Sequence, residues 1–555
     1  MTAAFTQGYG HFALTTPELG PVYLALLARK AILNPRDKHR VRARKMTDSI
    51  SLRRLDIRTL IACCLAVAVA QLCITVPAPI NGNIQAAFGA SGSQVAWVTS
   101  AFILPTAILE LNFGVVGDLF GRKRLLVLGG FVLALGELLN ATAQNITMLW
   151  VGQALAGIGA AALFPSSLAV IAAATPDAKD RAKAVSTWAL SISIASAAGP
   201  LSSGVLATIA DFRWAFVPPV VLGLAVGVTC WVLVTDSKAP EGRALDWPGQ
   251  ISIAIGLTAL LWGIIEGSER GWGSPAIVGA LALATAALVA FVAAEKRATS
   301  PMFNLDLLRI PSFSAAAVVA LAGMFGFIGT AYVVSIRLGA VMHLSALRAG
   351  LPLMILQVIP LLLAPVLSKM LTRVDPRWLL MGGLLPMAAG QFWIAALPIT
   401  TTSLAAFLGP VLLLGVGFIC VVSSLTSAAV NAVPINMTGM ASGATSLVRE
   451  FGQGLGPAVI STIAMSAASS ALVGKLSGKD AGIQQAAGPL AVVNVGSDSA
   501  KAAAQTALAH GMAIGVIVCG CASLLGALVT LLLVRKNTAR SAVGADEPAM
   551  ATATV

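Results

Sequence analysis

The chain is predicted to be an all-α membrane protein of fourteen spans, built as two six-helix bundles with two helices inserted between them and with both termini cytoplasmic. Three observations predict this. Of 555 residues, 57% are hydrophobic and only 11% are charged, whereas an ordinary soluble protein has about 25% charged residues. Apolar stretches of about 20 residues recur along the chain, each long enough at 1.5 Å per residue to cross a hydrocarbon core of roughly 30 Å. Two sequence landmarks also repeat at a nearly constant offset. A soluble core of this size would leave too few charges for its surface, and a membrane barrel would show short alternating segments instead.

In chain order, residues 1–57 read as a cytoplasmic, disordered arm, first polar and then basic (Arg29, Lys30, Arg36, Lys38, Arg40, Arg42, Arg44, Lys45). No signal peptide with a cleavage site is evident. Met46 opens a more conventional start, so residues 1–45 are either such an arm or a misassigned beginning. Apolar spans follow at about 58–80, 94–116, 124–143, 148–173, 184–207 and 214–235, the N-terminal bundle (58–235). The inserted pair, about 248–267 and 275–294, lies with its connections in 236–312. The C-terminal bundle (313–534) holds 313–336, 348–370, 378–397, 403–424, 439–470 and 511–534. Its connection 471–510, rich in Ala, Gly and Ser, reads as an external mobile loop, and 535–555 as a cytoplasmic tail.

The net charge of +13 would suit nucleic acid in a soluble protein. Here its placement decides otherwise. Counted from Met46, one set of alternate connections carries 20 Lys and Arg; the other carries seven: Arg213, Arg270, Arg337, Arg348, Lys475, Lys479 and Lys501. The positive-inside rule puts the first set, and both termini with it, in the cytoplasm, and no nucleic-acid partner is expected. The seven cysteines all lie in apolar runs and read as small core residues.

The repeat is more telling than the span count. GVVGDLFGRKRLLVLGG (114–130) between spans two and three is echoed by VLSKMLTRVDPRWLLMGG (366–383) between spans ten and eleven, and Gly199-Pro200 is echoed by Gly456-Pro457. Parallel repeats of this kind are the plan of secondary transporters, whose substrate site lies between the halves near the bilayer midplane.

In the first motif, Gly114, Gly117 and Gly121 permit close helix approach and a tight turn. Asp118 can accept charge-assisted hydrogen bonds from nearby basic groups or helix-terminal N–H groups, and Arg122, Lys123 and Arg124 sit at headgroup level. An ordinary positive-inside loop would need neither the glycine spacing nor the acid, so the motif reads as a gating element. It resembles the G-x-x-x-D-x-x-G-R-K-x-x-L signature of the major facilitator superfamily. MLWVGQALAGIGAAALFPSSLAVI (148–171), AAGPLSSGVL (197–206), EGSERGWGSP (266–275) and AEKRATSPMFNLDLLRIPSF (294–313) are similar to segments of its fourteen-span drug:proton antiporter branch, the EmrB/QacA type. The resemblance covers about 50–535 and implies a major facilitator fold and proton-coupled drug efflux.

Departures from that pattern bear on coupling. Gln153 fills the position of an arginine usual in the family's fourth span, and Cys73 and Thr75 occupy a first-span stretch where the family often has an acid. Gly199-Pro200 is kept, and Pro200 removes a backbone N–H and permits a kink, but only Gly204 remains of the paired glycines that normally follow.

Ionisable groups inside a membrane are functional candidates by default. The chain offers Glu110, Glu137, Arg449 and Glu450. Arg449 is expected near midplane in span thirteen, where the resemblance also places an arginine beside a cavity-lining helix. It reads as a substrate or coupling residue, or as a structural ion-pair partner. Adjacent helical positions point about 100° apart, so Arg449 and Glu450 are not expected to satisfy each other. FGQGLGP (451–457) follows, predicting a bent helix. Glu110, in span two, and Glu137 are each readable as a proton carrier. Glu137 reads equally as a structural hydrogen-bonding partner, because the resemblance puts its span at the bundle periphery. Glu266 and Glu269, at an outer helix end, are expected to be solvated. Trp97, Trp150, Trp214, Trp247 and Trp272 are expected to form interfacial belts.

A primary pump would need a phosphate-binding loop, and no G-x-x-x-x-G-K-[ST] occurs. No HExxH helix or GxSxG elbow suggests an enzyme. Three readings stay open: a proton-coupled exporter of hydrophobic or cationic compounds, a permease for a small metabolite, and a non-transporting receptor on the same fold. The few polar residues within spans, Gln71, Asn81, Gln153, Gln357 and Gln391, favour amphipathic substrates and hence export. No cofactor or metal is expected, the proton gradient being the energy source. The expected setting is a monomer in the cytoplasmic membrane, with the bilayer and a small molecule as its partners; accessory efflux proteins are left open.

Overall fold

The computed structural model describes residues 57–534, apart from 176, 239–244, 299–300, 302, 372, 399–400, 402, 432 and 434–437. The expected arm (save its last residue), the alternative start at Met46 and the tail lie outside the described residues.

The first span is broken in two. Pro77 has no N–H to donate, so α1 (Ile57–Thr75) ends there and α2 (Pro77–Phe88) begins with proline in its first turn. Gly89, in the left-handed region at φ 60°, closes α2. Ser91 then caps α3 (Gly92–Phe120) in a reciprocal capping box with Gln94. The N-terminal bundle continues with α4 (Arg122–Ala141), α5 (Ile146–Ala174), α6 (Ala178–Ile209), a short 3-10 turn and α7 (Val217–Leu233).

The inserted pair is α8 (Trp247–Arg270) and α9 (Pro275–Arg297). The C-terminal bundle comprises α10 (Pro311–Ile336), α11 (Ala346–Leu371), α12 (Pro376–Ala396), α13 (Leu404–Asn431), α14 (Thr438–Leu472) and α16 (Asp498–Leu533), with α15 (Gly478–Val495) between the last two. Fourteen helical segments among the described residues are long and apolar enough to cross a membrane.

The halves meet along two seams, α3 against α14 and α6 against α11. Helix α8 packs on both α3 and α14, so the inserted pair lies beside the first seam. Gln250 of α8 donates to the Ile108 carbonyl at 2.9 Å, and Thr462 of α14 donates to the Ile264 carbonyl of α8 at 2.9 Å.

One end of the bundle holds Ile57, the Arg122-Lys123-Arg124 turn and Leu533; it is called the basic end here. The opposite end carries α15. The connection read as a mobile loop is therefore mainly helical, with a kink at Gly488-Pro489. It buries Leu490, Val492 and Val493, which its Ala/Gly-rich composition conceals. Asn494 donates to Gln85 at 2.6 Å, Gln484 to the Ser469 carbonyl at 3.1 Å, and the Ser497 hydroxyl to Asp480 at 2.6 Å. The Ser497 hydroxyl and N–H together hold the Asp480 carboxyl below the usual range.

Candidate functional site

A chamber opens between the halves where α1, α2, α3, α6, α10, α11 and α14 converge. Ile74, Ala78, Ile103, Pro200, Ile328, Ala331, Leu353, Leu356 and Pro457 give it apolar walls, and Thr75, Asn81, Thr99, Tyr332 and Gln357 are its polar groups; among the described residues no charged side chain lines it. Of the polar residues singled out from sequence, Asn81 and Gln357 reach the chamber. Gln391 is instead buried in the C-terminal bundle, accepting from Ser523 at 2.8 Å.

Hydrogen bonds between the halves seal the chamber on the α15 side. Asn81 donates to Ser335 at 3.0 Å, and Ser335 to the Ala78 carbonyl. Ser461 and Tyr332 both donate to the Gly92 carbonyl, at 3.0 and 3.3 Å. The Leu347 N–H donates to Thr208 at 3.1 Å. With the bond from Asn494 to Gln85, these join the two bundles in this region.

Toward the basic end, a charged cluster spans the α3/α14 seam. Arg449 donates to Glu450 Oε1 from Nη2 at 2.9 Å and from Nε at 3.3 Å. This corrects the expectation that the two would not pair: their side-chain directions diverge, but their Cα atoms are only about 3.8 Å apart. The flexible arginine stem folds back across that gap. Glu450 is 5% exposed, and among the described residues its Oε2 has no hydrogen-bond partner. Glu110, from α3, lies within electrostatic range of both residues. The sequence candidates Glu110, Arg449 and Glu450 are thus brought together. Seven residues separate Glu110 from Ile103, or about 10 Å along the helix, so the cluster lies below the chamber rather than in it.

Glu137 and Gln153 are placed elsewhere, inside the N-terminal bundle and fully buried. Asn140 donates to Glu137 Oε2 at 3.1 Å, and Cys73 lies near the same carboxyl. Among the described residues, neither polar side-chain atom of Gln153 has a hydrogen-bond partner.

At the basic end, Asp118 accepts from Arg122 Nη2 at 2.7 Å and from its Nε at 2.9 Å, and Arg122 Nη1 reaches the Ala169 carbonyl of α5 at 3.2 Å. The chain turns between α3 and α4 at Gly121, whose φ of 118° excludes most side chains. Asp236, just beyond α7, packs its carboxylate against Gly121 and accepts the Lys123 N–H at 3.3 Å, placing negative charge at the N-terminus of α4. Gly114 packs toward Pro165 of α5. Asp236 was not recognisable from sequence as part of the motif, because 113 residues separate it from Lys123.

The two Gly-Pro motifs flank the chamber. Gly199 presses against Thr75, Pro200 lines the chamber wall, and Gly204 abuts Ala346 and Leu347 of α11. On the other side Gly456 abuts Gly329 of α10, and Pro457 lines the opposite wall.

Two expectations at helix ends are overturned. Glu266 is not solvated: it is 9% exposed and accepts from Trp97 Nε1 at 3.2 Å and Arg270 Nε at 2.9 Å. Trp97 is therefore held in the α3/α8 contact, and Trp150 donates to the Gln94 carbonyl, whereas Trp214, Trp247 and Trp272 are exposed as belt residues are. Arg337, counted with the connections, is buried.

Comparison with known proteins agrees with this architecture. The family model described as Major Facilitator Superfamily matches residues 63–457. The chain is 28% identical to the multidrug resistance protein Stp of Mycobacterium tuberculosis (strain CDC 1551 / Oshkosh), over 69% of this chain and 71% of that protein. It is 28% identical to the tetracenomycin C resistance and export protein of Streptomyces glaucescens, over 75% of this chain and 77% of that one. It is 30% identical to the multidrug efflux pump LfrA of Mycolicibacterium smegmatis, over 68% and 74%. Among solved structures, a bacterial homolog of the human lysosomal transporter Spinster, in an inward-facing and unoccupied conformation, shares the fold at a TM-score of 0.63 and 15% identity, covering 87% of this chain and 98% of that one.

Proposed function

The chain belongs to the major facilitator superfamily, and from that premise we infer that it exports hydrophobic or cationic small molecules in exchange for protons, by alternating access. The observation that carries this reading is the pairing of an uncharged, largely apolar chamber with a cluster of two carboxyls and one guanidinium about 10 Å away along α3. An amphipathic compound needs apolar walls and one or two polar anchors. Two carboxyls facing one guanidinium leave room for one further positive charge, either a cationic head group or a proton. Competition between the two at Glu110 and Glu450 is the coupling step. The named efflux relatives support the direction of transport.

The 20-to-seven excess of Lys and Arg supports a cytoplasmic basic end. In that orientation the seal around Tyr332 faces outward and the chamber is reached from the cytoplasm. The Asp118–Arg122 turn latches the cytoplasmic side in the opposite state. The setting is a bacterial cytoplasmic membrane, and the proton gradient supplies the energy without a resident cofactor. Downhill permeation is the competing reading, favoured by Cys73 and Gln153 standing where the family pattern has charges.

Everted vesicles loaded with a pH dye test the reading. Adding ethidium to acidified vesicles should release protons with the wild type, and Glu110→Gln or Glu450→Gln should abolish release while expression stays normal. Ethidium flux without proton movement would establish downhill permeation instead.

A further inference from the structure

The two seams between the bundles are closed to different depths. Along α3 and α14 the contact runs from one end to the other. Gly92 meets Met465 at the α15 end, Gly454 meets Ile103 beside the chamber, and Gly443 meets Leu111 toward the basic end. A Cβ on these glycines would stand 2.5, 3.4 and 2.9 Å from the partner side chain. From Gly92 to Leu111 α3 rises about 28 Å, so this seam is shut through most of a hydrocarbon core.

Along α6 and α11 the contact stops at the chamber. Thr208 accepts from the Leu347 N–H, and a Cβ on Gly204 would stand 3.0 Å from the Ala346 carbonyl oxygen. One on Gly350 would stand 2.9 Å from the Pro200 carbonyl oxygen. Helical periodicity carries the same face of α6 on to Ser193 and Leu190, and the same face of α11 on to Leu361 and Ala364, each within about 40° of the packed glycine. Gly204 and Gly350 are buried, but Leu190 is 46% exposed and Ser193, Leu361 and Ala364 are partly exposed. The two helices therefore part beyond the chamber and leave a slot toward the basic end. Helix α8 packs on both helices of the closed seam. Among the described residues, α2 is the helix that packs on both α6 and α11, and it lies at the α15 end. Ile194 on α6 and Leu362 and Val366 on α11, which flank the slot, are 53%, 65% and 55% exposed. Apolar side chains so placed on spanning helices meet lipid.

We propose that the substrate reaches the chamber sideways from the bilayer, through the slot between α6 and α11, so that the compounds carried are amphiphiles dissolved in the leaflet at the basic end. The proposal rests on the export reading and its orientation, which make that leaflet the cytoplasmic one. An amphiphile in a bilayer keeps its apolar body among the acyl chains and its polar head at the interface. Sliding from there between apolar helix faces, it reaches the chamber without exposing its body to water, so the hydrophobic free energy that holds it in the membrane is kept on entry. Entry from water would need no opening on the lipid-facing side.

Two measurements on the full-length protein test it. In proteoliposomes, with a cysteine-free background, bimane attached at Leu361→Cys or Ser193→Cys should be quenched by doxyl-labelled phosphatidylcholine at least about half as strongly as at Leu362→Cys, the lipid-facing reference. Weaker quenching would overturn the proposal, because the slot would be closed to lipid. In everted vesicles Ser193→Trp, which fills the slot, should slow the initial uptake of membrane-dissolved Hoechst 33342 at least about fivefold and that of water-borne ethidium less than about twofold. Leu361→Trp takes its place if that variant does not fold. Equal slowing of the two dyes, or none, would overturn the entry route. Neither readout needs proton movement, so dye flux without proton exchange would count against antiport alone and leave this proposal standing.

Discussion

Gly82 of α2 and Gly339, in the one-turn π-helix (Arg337–Val341) that prolongs α10, meet backbone to backbone across the two bundles. A Cβ on Gly82 would stand 2.5 Å from the Gly339 carbonyl carbon and 2.9 Å from the Ala340 nitrogen. Real atoms do not approach so closely, so closure on the α15 side requires the absence of a side chain here. Gly82→Val is expected to prevent that closure without disturbing insertion. In a cysteine-free background, a cysteine at Thr99 in the chamber should then react with an impermeant maleimide added on that side, and transport should fall at least tenfold.

Tyr332 and Ser461 share the Gly92 carbonyl as acceptor. A single hydrogen bond contributes about 1 kcal/mol net, so Tyr332→Phe should shift the balance toward the state open on this side by roughly fivefold. Ser461→Ala should add a shift of similar size, because the Gly92 carbonyl, at the first position of α3, keeps its intrahelical bond from the Ala96 N–H. Spin-label distances across this end should show the double variant shifted by about the two single variants combined.

At Gly121 any side chain would adopt a disfavoured backbone conformation at φ 118° and would also meet the Asp236 carboxylate, whose oxygens lie 2.7 and 2.9 Å from the Cβ position. Gly121→Ala should therefore destabilise the fold by about 1–3 kcal/mol. Adding Asp236→Ala relieves the collision but not the backbone strain. The melting temperature in detergent should fall for the single variant and recover only partly for the pair.

The Asp480 carboxyl is held below its ordinary value by Ser497. A depressed value means that the link is complete above the ordinary carboxylate range and is lost only as pH falls through the lower folded value. From about pH 6 to 8 it should not change. Trypsin cleavage after Lys479 should be severalfold faster in Asp480→Asn than in wild type, and the ratio of the two rates should stay constant across that window. A ratio that drifted with pH would mean another group governs α15.

The fourteen spans were legible because an apolar run of about 20 residues is a long, local signal. The same holds for the turn at Gly121, where glycine spacing and the acid are contiguous. Contacts between distant segments were not legible. Glu266 looks like a solvated helix-end acid until Trp97, 169 residues away, brings it a donor, and Arg337 looks like a loop cation until α12 and α16 enclose it. The cluster at Arg449 was half legible: hydropathy marked its residues as costly, while helical angles alone misjudged the reach of arginine. The bonds from Asn494 and Gln484 that hold α15 leave no periodic trace in an Ala/Gly-rich stretch.

Helix α8 is fastened to one bundle through Gln250 and Glu266 and to the other through Thr462. A hinge pin set along one edge of a door has the same effect: it lets the leaves swing but not slide apart. If these bonds persist through the cycle, relative motion of the bundles must be smallest along α3 and α14 and largest along α6 and α11. The opening through which a substrate passes would then be wedge-shaped, gaping on the side away from the inserted pair.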